Sequence, residues 1–173
     1  MGLWDELECS LPPANPFHRA VRAAAARRPV SRALGVALHP LDRFVSGATQ
    51  GRQSATQYVS GLPTITLVTV GARSGERRHT PLLAFPREGD IAVIGSNYGR
   101  ERTPGWVHNV RANPEVEVEH AGRTVAAVAK RLGREAAAEV YEQAQREYPG
   151  YASYRTWAGG RDITVWLLVA RDA

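Results

Sequence analysis

The sequence predicts an α+β protein: a mainly antiparallel sheet short enough to close as a small barrel, a helical N-terminal extension and two inserted helices. Three observations predict it. From Gly61 onward the apolar residues change from helical spacing to short runs, some alternating and some apolar throughout, bounded by turn residues. Six such runs are present, enough strands for a small barrel. Hairpin-length gaps separate most of them, which makes their pairing antiparallel. At 173 residues the chain holds one compact domain with a real core. The expected division is an extension over 1–60 and a barrel domain over 61–173.

The extension opens with "MGLWDELECS", acidic where a secretory signal is basic. Together with the absence of any apolar run near the ~20 residues of a membrane span, this places the protein in the cytoplasm. The lone cysteine, Cys9, falls in this start, expected to be mobile, and rules out an internal disulfide or a cysteine metal site. Residues 17–52 follow, a basic amphipathic block with apolar residues at helical spacing (Val21, Ala24, Ala25, then Leu34, Ala37, Leu38, Leu41, Phe44, Val45). Pro29 and Pro40 cut it into short helices. It holds seven arginines against one acid, Asp42. Two readings stand: a stripe rich in Ala packs on the domain or on a partner subunit, or the basic face makes a peripheral contact with an anionic membrane.

The barrel segments are 64–70, 80–85, 90–96, 115–120, 123–132 and 162–170. "REGD" at 87–90 and "AG" at 121–122 are hairpin turns. One helix follows Pro104 and ends at "ANP"; the other spans 133–148, with Ala136, Val140, Tyr141 and Ala144 on one face, and stops at Pro149. Glu115, Glu117 and Glu119 alternate along a strand and form its solvated face.

The formal charge of +5 is made by 21 Arg and a single Lys, Lys130. Arginine forks clamp phosphates and carboxylates, so the partner this charge implies is anionic, although a GC-rich genome would leave the same bias. Nucleic acid is excluded as the favoured partner, because no interleaved basic and aromatic pattern of the familiar DNA or RNA modules is present. The five histidines lack the spacing of a zinc site, so no metal is expected; GxSxG, Walker and GxGxxG motifs are also missing. Side chains alone offer no obvious reaction, so a bound cofactor would carry it.

The anion-binding features converge on "TVGARSGERRHTP" at 69–81. With "REGD" as the turn, Pro86 pairs with Ile91, and continuing the count sets Leu82 opposite Gly95 and Thr80 opposite Asn97. The Arg-rich loop 72–78 would then meet "GSNYG" at one sheet edge, a cradle of N–H, hydroxyl and guanidinium donors. In the following helix Trp106, Asn109 and Val110 share a face, the Trp being either core or site wall. Tyr148, Tyr151 and Tyr154, at three-residue steps, form either a core stripe or the wall of a pocket for a flat ring.

The segments "TVGARSGERRHTPLL", "IGSNYG", "PGWVHNVRANP" and "YPGYASYRTW", in this order and spacing, resemble the deazaflavin (F420)-dependent nitroreductase family, over roughly residues 41–170. The resemblance implies a split β-barrel related to FMN-binding flavoproteins, and coenzyme F420 as cofactor. It implies that Ala72, Arg73, Ser74 and Arg78, with His79 beside them, hold the phosphate and acidic tail. Thr80, Pro81, Leu82 and Leu83 would run along the deazaflavin, and Ile94, Gly95, Ser96 and Asn97 would form the other wall. Gly105, Trp106, Val107, His108 and Asn109 would close the site. Tyr148 would touch the cofactor, Tyr151 and Tyr154 would face a hydrophobic acceptor, and Tyr148, Tyr151 or bound water would supply the proton. Many relatives carry Lys where this chain has Asn97. The activity implied is hydride transfer from reduced F420 to an enone, quinone or nitroaromatic, by a monomer or homodimer. An FMN-dependent oxidoreductase on the same barrel and a non-catalytic F420 carrier are the alternatives.

Overall fold

A computed structural model of the chain describes residues 2–13, 15–31, 33, 57 and 60–171. Much of the basic block, residues 34–52 included, lies outside the described residues. Helices α1 (Leu3–Glu6) and α2 (Pro16–Ala25) precede strands β1 (Thr64–Val70), β2 (Arg77–Leu83), β3 (Phe85–Arg87) and β4 (Asp90–Ile94). Helix α3 (Gly105–Ala112) leads into β5 (Glu115–His120) and β6 (Arg123–Arg131). Helices α4 (Arg134–Glu147) and α5 (Gly150–Trp157) then return the chain to β7 (Val165–Ala170).

All seven strands form one antiparallel sheet in the order β2-β1-β5-β6-β7-β4-β3. Its two edge strands, β2 and β3, are neighbours in the chain with Ala84 alone between them. The sheet must therefore curl until its edges meet, which makes a split barrel. Here the sequence reading needs correction. The run 80–85 is two strands, and β2 pairs with β1 and not with β4: Thr80 faces Leu67 and Leu82 faces Ile65. The pairing of Pro86 with Ile91 is as expected, but the count cannot continue past Ala84. Ala84 is fully buried, and its N–H turns to the Pro63 carbonyl at 2.9 Å. A barrel seam, invisible to strand periodicity, stops it.

The β3–β4 and β5–β6 turns place Glu88 and Gly89, then Ala121 and Gly122, at positive φ. These are the primed turns whose twist suits a tight hairpin. The register puts both turns at one end of the barrel, and the β1–β2 loop, the end of β4 and the start of β5 at the other.

Inward residues of the strands, among them Ile65, Leu67, Ile91, Val93, Val118 and Leu168, form the inner core with Trp106, Val107 and Val110 of α3. A second cluster lies on the outer face, where Phe85, Ala92, Ile94 and Val165 meet Val140, Tyr141 and Ala144 of α4 and the tyrosines around α5. The glutamates of β5 lie on the outer side, where Glu117 pairs with Arg77 and Glu115 with Arg171 at 3.0 Å.

The start of the chain is not mobile, contrary to the sequence expectation. Leu3 and Leu7 are fully buried in the inner core and seal the hairpin-turn end. The Leu3 N–H donates to Asp90 Oδ1 at 2.9 Å, and the Trp4 N–H to the Gly89 carbonyl at 2.9 Å. Arg123 reaches the Glu6 carbonyl at 3.0 Å and the Glu8 carboxylate at 2.6 Å. Cys9 is buried beside this plug, and burial pushes its thiol up to about 11. Sequence periodicity missed the plug because a four-residue helix carries too few turns to show a stripe.

Candidate functional site

The opposite end is open and is built from polar loops. In the β1–β2 connection the Gly71 N–H donates to Glu76 O at 2.8 Å and the Gly75 N–H to Gly71 O at 2.8 Å. A Cβ on Gly71 would lie 2.7 Å from Ser74 Oγ, so a larger residue there would have to displace the Ser74 hydroxyl. Arg78 Nη2 donates to Glu76 Oε2 at 2.6 Å and to Ser74 Oγ at 3.3 Å. Helix α3 fixes the loop from the side: Asn109 Oδ1 accepts from the Ala72 N–H at 3.0 Å, and Asn109 Nδ2 donates to Thr69 Oγ1 at 2.9 Å.

The second wall begins where β4 ends. The Gly95 N–H donates to Thr164 O at 2.9 Å. The chain then makes a left-handed turn, with φ of 49° at Asn97, 54° at Tyr98 and 71° at Gly99. Asparagine is among the few side chains that accept this conformation readily, which gives Asn97 a backbone reason to stand where a lysine would be strained. Tyr98 is a bulky residue held in an unfavourable region. Asn97 Nδ2 donates to the Arg102 carbonyl at 2.8 Å and closes the turn.

Between these walls lies a cleft of about 830 Å³. The first loop gives it Ala72, Arg73, Ser74, Arg78, His79 and Thr80, the second gives it Asn97, and α3 gives it Gly105, Trp106, His108 and Asn109. All of these were expected from the sequence. Gly71, Arg102, Thr103 and Pro104 also line it and were not. Arg102 stands two residues before the Pro104 cap of a helix, a signal that the sequence offered.

Three arginines and two histidines but no carboxylate line this cleft. Arg73 and Arg102 form no ion pair with any described residue. The first turn of α3 has no side-chain cap; the Val107 N–H turns back to the Pro104 carbonyl at 3.1 Å, and the N–H groups of Gly105 and Trp106 stand with the positive end of the helix dipole at the cleft. Trp106, 4% exposed, lines the cleft and also belongs to the inner core.

Other expected residues lie elsewhere. Pro81 is in the β2 ladder opposite Thr66, Leu82 packs on the inner core, and Leu83 and Ile94 pack on the outer cluster. Gly95 sits where a Cβ would come within 3.0 Å of Val107, and Val107 itself is fully buried. Tyr148, Tyr151 and Tyr154 are brought together, but as a buried aromatic cluster and not among the residues lining this cleft. Their helical spacing is partly fortuitous: α4 ends at Glu147, Tyr148 is extended, and only Tyr151 and Tyr154 share α5.

Tyr151 meets Tyr154, Tyr148 and Tyr141 at ring-centroid distances of 5.3, 5.8 and 5.7 Å. The Tyr141 hydroxyl donates to the Tyr151 carbonyl at 2.9 Å, and the Arg155 guanidinium sits 3.9 Å above the Tyr141 ring. Burial pushes the Tyr141 phenol up to about 12 and raises those of Tyr148, Tyr151 and Tyr154. Tyr98 packs on this cluster, its ring centroid 6.4 Å from that of Tyr154, and so links it to the second wall. Ser31 Oγ reaches the Tyr154 hydroxyl at 3.3 Å. Among the described residues no group of three or more His, Cys, Asp or Glu could hold a metal, and no helix is long and apolar enough to cross a membrane.

Comparison with known proteins gives a consistent picture. Residues 43–170 match the family model described as F420H(2)-dependent quinone reductase. An F420H(2)-dependent quinone reductase of Mycobacterium tuberculosis is 36% identical over 90 residues, 51% of this chain and 59% of the relative. The chain thus spans about 59% of the length of the curated relatives it matches. Among solved structures, an F420-H2 dependent reductase (FDR-A) superimposes with a TM-score of 0.55 at 33% identity, covering 61% of this chain and 93% of that one. A structure described as a domain-swapped dimer gives a TM-score of 0.58 at 29% identity, with coverages of 75% and 94%.

Proposed function

We propose that this chain, which belongs to the F420H(2)-dependent quinone reductase family, uses reduced coenzyme F420 to reduce an electron-poor small molecule, a quinone before an enone or a nitroaromatic. The observation that carries this reading is the cleft of about 830 Å³ with three arginines, two histidines and no carboxylate. That donor set suits a ligand with a phosphodiester and a polyanionic tail, and it would be over-charged for a neutral one.

When bound, the reduced deazaflavin supplies a hydride from C5, two-electron chemistry that protein side chains lack. Everything else falls to the chain. Arg73 and Arg102, with no ion pair to any described residue, would bind the anionic groups, helped by the Gly105 and Trp106 N–H groups at the start of α3. Arg78 serves the same end from a position already shared with Glu76. Asn109 orients the first loop by holding the Ala72 N–H and Thr69 together. Trp106 presents an aromatic surface at the floor of the cleft. Tyr151 keeps its proton because burial raises its pKa, and the cluster it belongs to packs against Tyr98 of the second wall. Tyr151, with Tyr148 behind it, is accordingly the proton store for the reduced acceptor. A homodimer is the assembly proposed, on the likeness to a structure described as a domain-swapped dimer.

The test is a titration of purified protein with oxidised F420 and with FMN, followed by tryptophan fluorescence. F420 is expected to bind and FMN to bind weakly; FMN binding without F420 binding would overturn the reading. Mixing with reduced F420 and menadione, cyclohexenone or a nitroimidazole then separates a reductase from a carrier. Recovery of F420 absorbance fastest with menadione is the expected result.

A further inference from the structure

After α5 the chain passes through two left-handed glycines, Gly159 at φ 63° and Gly160 at φ 84°. This reversal brings Arg161 back beneath the second wall of the cleft. Its guanidinium is spread over backbone: Nη1 donates to the Gly95 carbonyl at 3.0 Å, Nη2 to the Ser96 carbonyl at 2.8 Å, and Nε to the Arg100 carbonyl at 3.2 Å. Arg161 itself does not line the cleft. The neighbouring carboxylate, Asp162, is taken by Arg131 at 2.8 Å, and among the described residues Arg161 has no acidic partner of its own. Its hydrogen bonds all go to backbone carbonyls.

We propose that Arg161 is the positioning residue of the anion site: it draws the carbonyls of Gly95, Ser96 and Arg100 to one point outside the cleft and thereby holds the 95–102 wall in an anion-accepting shape. Two physical consequences support this. A carbonyl facing the cleft would oppose a bound anion, and three of this wall's carbonyls are committed elsewhere. The wall also contains the strained run Asn97-Tyr98-Gly99, which persists only if its surroundings over-determine it. A three-point fork on the residues flanking that run does so. Lysine could not, since its ammonium is a point donor on a flexible stem and cannot span three carbonyls in a plane.

The ligand in the test, F420, rests on the function proposed above; the loop readout does not. Amide hydrogen exchange of the free protein and F420 titration are measured on wild type, Arg161→Lys and Arg161→Gln. Both variants are expected to speed exchange at least tenfold within 95–102 while β1 and β5 stay protected, and to raise the Kd for F420 at least tenfold. The KM for F420 is expected to rise in parallel with its Kd, by more than the turnover rate at saturation falls. Unchanged exchange in 95–102, or a Kd for Arg161→Lys within twofold of wild type, would overturn the proposal. If Arg161→Gln does not fold, Arg161→Lys decides alone. If wild type itself does not bind F420, the functional reading fails and the exchange data still judge Arg161.

Discussion

The two ends of the barrel are closed by opposite means. At the hairpin-turn end, Leu3 of a four-residue helix and Leu7 just after it drop into the inner core and are fully buried. Backbone N–H groups there find Asp90 and Gly89, and its cations are paired, Arg123 with Glu8 and Arg87 with Glu88 and Glu139. At the other end the loops bond one another, three arginines meet no lining carboxylate, and a helix start is left uncapped. One end spends its polar groups on stability and the other keeps them for a ligand. The difference teaches where to look for function in a small barrel: at the end where polar groups are organised but electrically unbalanced.

The largest way to break this comparison is at the plug. Leu3→Ala with Leu7→Ala removes two fully buried side chains and is expected to lower stability by about 5 kcal/mol, each truncation leaving a cavity in the inner core. Chemical denaturation would measure the loss, and F420 titration of the variant held cold and folded is expected to give a Kd within twofold of wild type. A parallel loss of affinity would show that the ends are coupled.

Next comes the flank beside the open end, which is apolar although it is made of phenols. Tyr141, Tyr148, Tyr151 and Tyr154 have raised pKa values, chiefly through burial. The folded state therefore holds more protons than the unfolded chain once the pH passes the ordinary phenol value near ~10. Their stabilisation is complete below that pH and is lost as pH rises; the shift of Tyr141 to about 12 alone is worth roughly 3 kcal/mol by pH 12. Melting temperature is expected to fall steeply from pH 10 to 12, with phenolate absorbance at 295 nm rising in step with unfolding. Phenolate appearing in the still-folded protein at pH 10, for most of the six tyrosines, would break the assignment.

Asn109 tests whether the open end is organised from the side. Asn109→Ala leaves the Ala72 N–H and Thr69 Oγ1 without their partners. The expected cost is about 1.5 kcal/mol in stability, with F420 affinity down about tenfold. Asn109→Asp, which retains the acceptor but adds a negative charge beside the cleft, is expected to weaken F420 further while preserving more stability.

Much of this was legible in the sequence, for reasons that individual residues make plain. "TITLVTV" is β-branched and bounded by Pro63 and Gly71, and it is a strand from Thr64 to Val70 as expected. Glu88-Gly89 and Ala121-Gly122 fixed two hairpins through their turn chemistry. The loops that line the cleft were found by charge and spacing, yet the register used to join them was wrong. Thr80 and Asn97 both line the cleft because the barrel closes across its seam, not because they face each other on a ladder. Closure is a property of seven strands together, and no local pattern holds it. Arg161 escaped for a related reason: its partners are backbone carbonyls sixty or more residues away, which have no side-chain signature.

The finest test concerns the electrical imbalance itself. Arg78 lines the cleft, but it is also bonded to Glu76, and both side chains are more than half exposed. An exposed pair of this kind is worth only about 0.5 kcal/mol, so water and a bound anion compete with Glu76 on nearly equal terms. Arg78→Ala is therefore expected to weaken F420 binding several-fold without lowering the melting temperature. Glu76→Gln is expected to act in the opposite sense, tightening binding about twofold by releasing Arg78 to the ligand. Both effects should shrink between low and physiological salt, since they are exposed to screening. If Glu76→Gln instead loosens F420, the glutamate is positioning Arg78 rather than competing for it, and the open end would be organised by this acid after all.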